Sequence, residues 1–133
     1  MELLLFICHL INFYFNEDLF NILLQNKNID LNRKNSNGDT VLILLIKNPY
    51  ITPIIKEMYI KTIIKRGVNI NIKDNYGISP LIHAIEINSF AIVKYLVENG
   101  ANVNEVTENE GKSPLIIACE YNSSIALSNT AIF

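Results

Sequence analysis

The sequence predicts an all-α helical solenoid in which short helix-turn-helix units stack side by side, with β-turn fingers between them. Three observations carry this. The pentapeptide Gly67-Val68-Asn69-Ile70-Asn71 returns 33 residues later as Gly100-Ala101-Asn102-Val103-Asn104, and Gly77 with Ser79-Pro80-Leu81-Ile82 returns as Gly111 with Ser113-Pro114-Leu115-Ile116. A period in that range marks units too small to bury an apolar face alone, so that neighbours must stack. Each polar stretch with its glycine then runs into a hydroxyl residue and an apolar run, and the best-formed unit carries a helical apolar stripe at Ile92, Val93, Leu96 and Val97.

In chain order, Leu3 to Phe15 is apolar and reads as a buried helix. Its acidic Glu2 and the lack of a small-residue cleavage site oppose a signal peptide. His9 and Asn12 interrupt a run shorter than the roughly 20 apolar residues of a membrane span. Asp18 to Asn26 follows as an amphipathic helix. Asn32, Asn71 and Asn104 each precede a polar turn with a glycine at Gly38, Gly77 or Gly111. After each glycine, Thr40, Ser79 or Ser113 is placed as an N-cap whose hydroxyl accepts a backbone N–H. Pro80 and Pro114 stand at the first helical position, where a missing donor costs nothing.

First helices are short, as in Leu81 to Ile87, and Asn88-Ser89 separates this one from a second helix at Phe90 to Glu98. Gly100 ends that helix in a left-handed conformation free of Cβ strain. The spacing from Asn32 to Asn71 is 39 against 33 for the next. The six extra residues are assigned to Lys47 to Pro53, predicting a longer loop between the two helices, with a new start at Thr52-Pro53. One extra residue within Glu105 to Glu110 predicts a larger finger. Residues 1–133 are expected to form one domain with units at about 1–31 (partial), 32–70, 71–103 and 104–133 (incomplete).

The run Asp74-Asn75-Tyr76-Gly77-Ile78-Ser79-Pro80-Leu81-Ile82-His83-Ala84, with Leu96 through Asn104, resembles the ankyrin repeat in period, turn chemistry and helix pattern together. The His that the family places after Leu is Ile43, Ile82 and Ile116 here, so its side-chain hydrogen bonds are not carried over; His83 lies one place later and reads as a packing residue.

Composition excludes several function classes. A formal charge of −2 and a pI near 5.6 leave no electrostatic footprint for nucleic acid. Cys8 and Cys119 make neither a disulfide framework nor a metal-ligand spacing, which points to a reducing, intracellular and cytoplasmic setting. Asn122-Ser123-Ser124 has the form of a glycosylation acceptor and reads as chance in a chain rich in Asn and Ser. No glycine-rich phosphate loop is present. No nucleophile stands beside a base in a recognisable set, so no catalytic residue, cofactor or metal is expected. Cys119 reads as a core thiol, and Lys56 with Glu57 as a solvated helix face.

The resemblance implies a protein partner, held by the finger tips and the outer side of the first helices. Carried onto this sequence, that face comprises Ser36, Asn37, Asp39, Lys47 and Asn48, then Asn75, Tyr76, Ile78, Glu86 and Ile87, and finally Asn109, Glu110, Lys112, Glu120 and Tyr121. Tyr76 and Tyr121 suit binding hot spots, since tyrosine offers a large rigid contact with a polar tip. An alternative expectation is a structural or incomplete segment of a longer array. Its apolar ends would drive self-association, because true capping units have a polar outer face.

Overall fold

The computed structural model describes residues 15–130, with side chains to 122. The helix expected over Leu3 to Phe15 therefore lies outside the described residues except for Phe15, and Cys8 lies outside them too. Six helices and no strands are present among the described residues: α1 (Glu17–Gln25), α2 (Val41–Lys47), α3 (Pro53–Lys65), α4 (Pro80–Glu86), α5 (Phe90–Glu98) and α6 (Pro114–Thr130).

Caps set the helix starts. Asn16 accepts from Leu19 N at 3.0 Å, Thr40 Oγ1 from Ile43 N at 3.4 Å, Ser79 Oγ from Ile82 N at 3.3 Å, and Ser113 Oγ from Ile116 N at 3.4 Å. Thr52 makes no side-chain cap bond, and Pro53 begins α3 instead by its preset backbone.

The first helices form one layer, α2 against α4 and α4 against α6. The second helices form the other, α3 against α5, with α2 on α3 and α4 on α5 joining the layers. At the centre α2 buries every apolar residue from Val41 to Ile46. A short helix that is apolar all round needs neighbours on all sides, and the stack provides them. At the N-terminal side Phe15, Phe20 and Tyr59 form an aromatic trio with centroids 4.7–5.4 Å apart. Burial pushes the Tyr59 hydroxyl above its ordinary pKa. It lies toward Asn21 and Glu17 without a hydrogen bond of good geometry to either.

Backbone polar groups at the unit junctions are tied across the stack. Asn32 Oδ1 accepts from Asn69 N at 2.7 Å; Asn71 Oδ1 accepts from Asn102 N at 2.8 Å, while Asn71 Nδ2 donates to Gly100 O at 3.1 Å. Two of the three asparagines that mark the repeat in the sequence, Asn32 and Asn71, are thus staples between successive units. Arg66 reaches back to Leu24 O and Asn26 O, satisfying carbonyls at the end of α1.

One expectation is corrected. The extra residues before α3 do not all enter a loop: α3 has 13 residues against 9 in α5, so most of them lengthen the helix, and the connection covers 48–52. Pro53 explains this, since a proline opens a helix one turn earlier than the equivalent position in the next unit. The last unit, expected to be incomplete, has no separate second helix among the described residues: α6 continues to Thr130 through a stretch without Gly or Pro. By contrast the break after α4 holds Asn88 at a φ of 55°.

Candidate functional site

Each finger is closed by its own first residue. In the first, Asn35 N donates to Asp39 O at 3.0 Å and Asn35 Oδ1 accepts from Asn37 N and Asp39 N. In the second, Asp74 N donates to Ile78 O at 3.0 Å, and Asp74 Oδ1 accepts from Tyr76 N at 2.9 Å and Ile78 N at 3.0 Å. Side-chain acceptors of this kind substitute for a backbone turn bond. The third finger is one residue longer, with Thr107 N donating to Lys112 O and Thr107 Oγ1 accepting from Lys112 N. Its enlargement matches the residue counted within Glu105 to Glu110.

The fingers also join one another. Asn75 N donates to Asn37 O at 3.2 Å and Asn75 Nδ2 to Ser36 O at 2.9 Å, so Ser36, Asn37 and Asn75 remain exposed at the tips while their polar groups are partly used between fingers. Tyr76 stands out from the second finger at 70 % exposure.

His83 is buried, as its reading as a packing residue expects, and it also makes polar contacts. Its Nε2 lies 2.8 Å from Asp74 Oδ2 while Nδ1 lies 3.4 Å from Glu86 Oε2. As a carboxylate Asp74 can only accept, so Nε2 carries the proton of that bond. The second finger is thereby fastened to α4 through one carboxylate that takes two backbone N–H groups and an imidazole. The shifted histidine still reaches the finger because Asp74 opens the turn directly beside the α4 face.

Along the first helices, Lys47, Glu86 and Glu120 occupy equivalent places after the N-caps Thr40, Ser79 and Ser113, the first two ending α2 and α4 while α6 continues past the third, and Asp39, Ile78 and Lys112 stand at the bases of the fingers. Lys47 pairs with Asp39 at 3.3 Å. At the other end the polarity reverses. Lys112 Nζ lies 2.6 Å from Glu110 Oε2 and 2.9 Å from Glu120 Oε2, and these bonds, Glu110 foremost, hold the ammonium above its ordinary pKa.

Between the second and third fingers lies a groove of about 360 Å³. Tyr76, Ile78, Ile82, Ile117 and Tyr121 give it apolar walls, and Glu86, Glu110, Glu120, Lys112, Asn109 and Thr107 complete its lining. Desolvation, with Glu86 adding a smaller repulsion, raises the pKa of the Tyr121 hydroxyl. Eight of the fifteen residues expected on this face meet here: Tyr76, Ile78, Glu86, Asn109, Glu110, Lys112, Glu120 and Tyr121. Ile82, Ile117 and Thr107 were missed. Ile82 was visible as the residue standing where the related pattern has histidine; Ile117 and Thr107 carried no signal beyond helical spacing and the finger count.

Others do not join them. Asp39 and Asn48 are buried at 2 % and 4 % exposure and leave the exposed face. Asp39 turns inward to Lys47, and Asn48 Oδ1 accepts from Tyr50 N and Ile51 N to close the loop after α2. Ile87 is exposed but outside the groove lining, and Lys47 stands a unit away. Cys119 is exposed rather than a core thiol: α6 continues past it to Thr130, and among the described residues no second helix covers it. Lys56 is buried, not a solvated face residue. Its Nζ donates to Ile46 O at 2.8 Å, and burial lowers its pKa.

Among the described residues no cluster of His, Cys, Asp and Glu could hold a metal ion, and no helix is long and apolar enough to cross a membrane.

A family profile described as "Ankyrin repeats (3 copies)" matches residues 7–104 and 55–128. Over 112 residues the chain is 33 % identical to a protein named as an ankyrin repeat protein of fowlpox virus, covering 81 % of this chain and 31 % of that protein. A second fowlpox virus protein of the same description is 33 % identical over 84 residues, 60 % of this chain and 19 % of the relative. A protein described as a probable serine/threonine-protein kinase of Dictyostelium discoideum is 39 % identical over 77 residues, 56 % of this chain but 8 % of that protein. The chain thus spans no more than about a third of the length of these relatives. With stacked helix pairs, turn-closed fingers and a profile match that runs through nearly all the described residues, the chain belongs to the ankyrin repeat family.

Proposed function

We propose that this chain is a non-catalytic binding module that holds a segment of a protein partner in the groove between its second and third fingers. Ankyrin repeats in general mediate protein–protein interaction. The observation that supports this groove is the convergence of an exposed Tyr76 with Ile78, Ile82, Ile117 and Tyr121 on a wet surface. Apolar and tyrosine side chains that converge in a concave site are the usual source of binding energy, while a polar rim sets orientation. The His83–Asp74 bond holds the finger in place before a partner arrives, which lowers the ordering cost of binding.

Tyr76→Ala with Ile78→Ala tests this, because the turn bonds of Asp74 go to backbone N–H groups and survive truncation of both side chains. Partner capture from an extract of the native cell should weaken about 30-fold, roughly 2 kcal/mol. Unchanged capture with intact helical circular dichroism would remove the groove from the binding surface.

A second reading, association through an open end of the stack, has its own observation. Leu115 and Ile116 are 72 % and 48 % exposed, while the equivalent Leu81 and Ile82 are 2 % and 1 % exposed under the next unit. Val103 likewise is 45 % exposed where Ile70 is 8 % exposed. Such an apolar face would be covered by another unit of the same kind, from a second copy or a neighbouring repeat.

A further inference from the structure

We infer that the groove selects an extended peptide segment in which a basic side chain stands beside an apolar one. This rests on the proposed function and names the chemistry of the partner.

The apolar half of the requirement comes from Ile82 and Ile117 beneath the flanking Tyr76 and Tyr121. The charged half comes from the rim. Glu86, Glu110 and Glu120 line the same groove, and Lys112 is the ammonium among its lining residues. Lys112 is already engaged by Glu110 and Glu120 at 2.6 and 2.9 Å. The rim therefore carries a net negative charge while its cation is shared between two carboxylates. Just behind it, the Asp74 carboxylate bonds His83 and faces inward.

A carboxylate on a partner would meet this excess at close range, in a concave site whose apolar walls weaken solvent screening. A guanidinium or ammonium entering over Tyr121 toward Glu86 gains both carboxylate attraction and the ring face. Like-charge exclusion here does as much for selectivity as attraction.

The experiment uses the full chain and three fluorescein-labelled pools of randomised decapeptides, read by anisotropy at low salt. One pool combines Arg and Lys with Leu and Ile, one Asp and Glu with Leu and Ile, and one Arg and Lys with Ser and Gly. The basic-apolar pool should bind at least tenfold more tightly than either other pool. Glu86→Gln with Glu120→Gln should erase most of that preference, while Glu17→Gln with Glu57→Gln, outside the groove, should keep it. Lys112→Gln should tighten the basic-apolar pool several-fold, a gain that misfolding cannot imitate.

No binding by any pool, equal binding of the basic-apolar pool by the Glu86/Glu120 variant, or equal binding of the basic-polar pool would each overturn the inference. If the acidic-apolar pool binds best and Tyr76→Ala with Ile78→Ala abolishes it, the charge inference falls and the groove stands. If the basic-apolar pool ignores that double variant, the groove itself falls.

Discussion

Lys56 shows how a single residue escapes a reading by pattern. Beside Glu57 on a helix it resembles a solvated ion pair, yet its ammonium is carried inward to the carbonyl of Ile46 at the end of α2. The bond satisfies an orphan acceptor at a helix C-terminus, and the burial that permits it penalises the charged form. The folded pKa thus lies below the unfolded value of 10.5. Between the two the unfolded chain binds more protons than the folded one, so this group adds stability as pH rises through that window. Urea unfolding of the native chain and of Lys56→Met at several pH values from 7 to 10.5 should show the native chain gaining on the variant with rising pH. Parallel pH profiles would mean that the lysine reaches water in the folded state.

At the scale of the element, the fingers depend on close approach. Gly38 has a φ of 78°, and a Cβ there would meet the backbone nitrogen and side chain of Asn75 in the next finger. Gly38→Ala therefore combines backbone strain with a steric clash against the bond from Asn75 N to Asn37 O. The conformational strain alone costs about 1–2 kcal/mol. The expected loss in a denaturation curve is at least that, with faster hydrogen exchange at Asn75. A loss confined to a few tenths of a kcal/mol would show that the fingers yield independently. Helices were more legible than this contact: α5 lies over Phe90–Glu98 as its periodicity indicates, and the caps at Thr40, Ser79 and Ser113 are where their hydroxyls placed them. Local spacing carries such features because caps and stripes are set within a few residues.

For the whole molecule, the apolar surface at Val103, Leu115 and Ile116 connects packing with assembly. The same positions elsewhere in the stack are closed by the following unit, so charge introduced here should not touch the core. Leu115→Glu with Ile116→Lys should leave thermal stability nearly unchanged and move sedimentation toward monomer across a wide concentration range. A native chain that is already monomeric throughout that range would end the association reading.

The repeat period, helix types and finger positions were determined by the sequence itself, because each rests on short-range chemistry: a hydroxyl before a helix, a glycine where φ is positive, an apolar residue every third or fourth place; the eight expected residues that line the groove came from the family resemblance and not from such spacing. Tertiary structure decided which polar residues face solvent. Asp39 and Asn48 turn inward, Lys56 caps a neighbouring helix, His83 reaches Asp74, and Cys119 stays open to water. The partners of the first four lie within the same unit, two to ten residues away in the sequence, yet spacing along one helix does not say which side chains the finger and the helices turn toward each other; only the packing of those elements decides it.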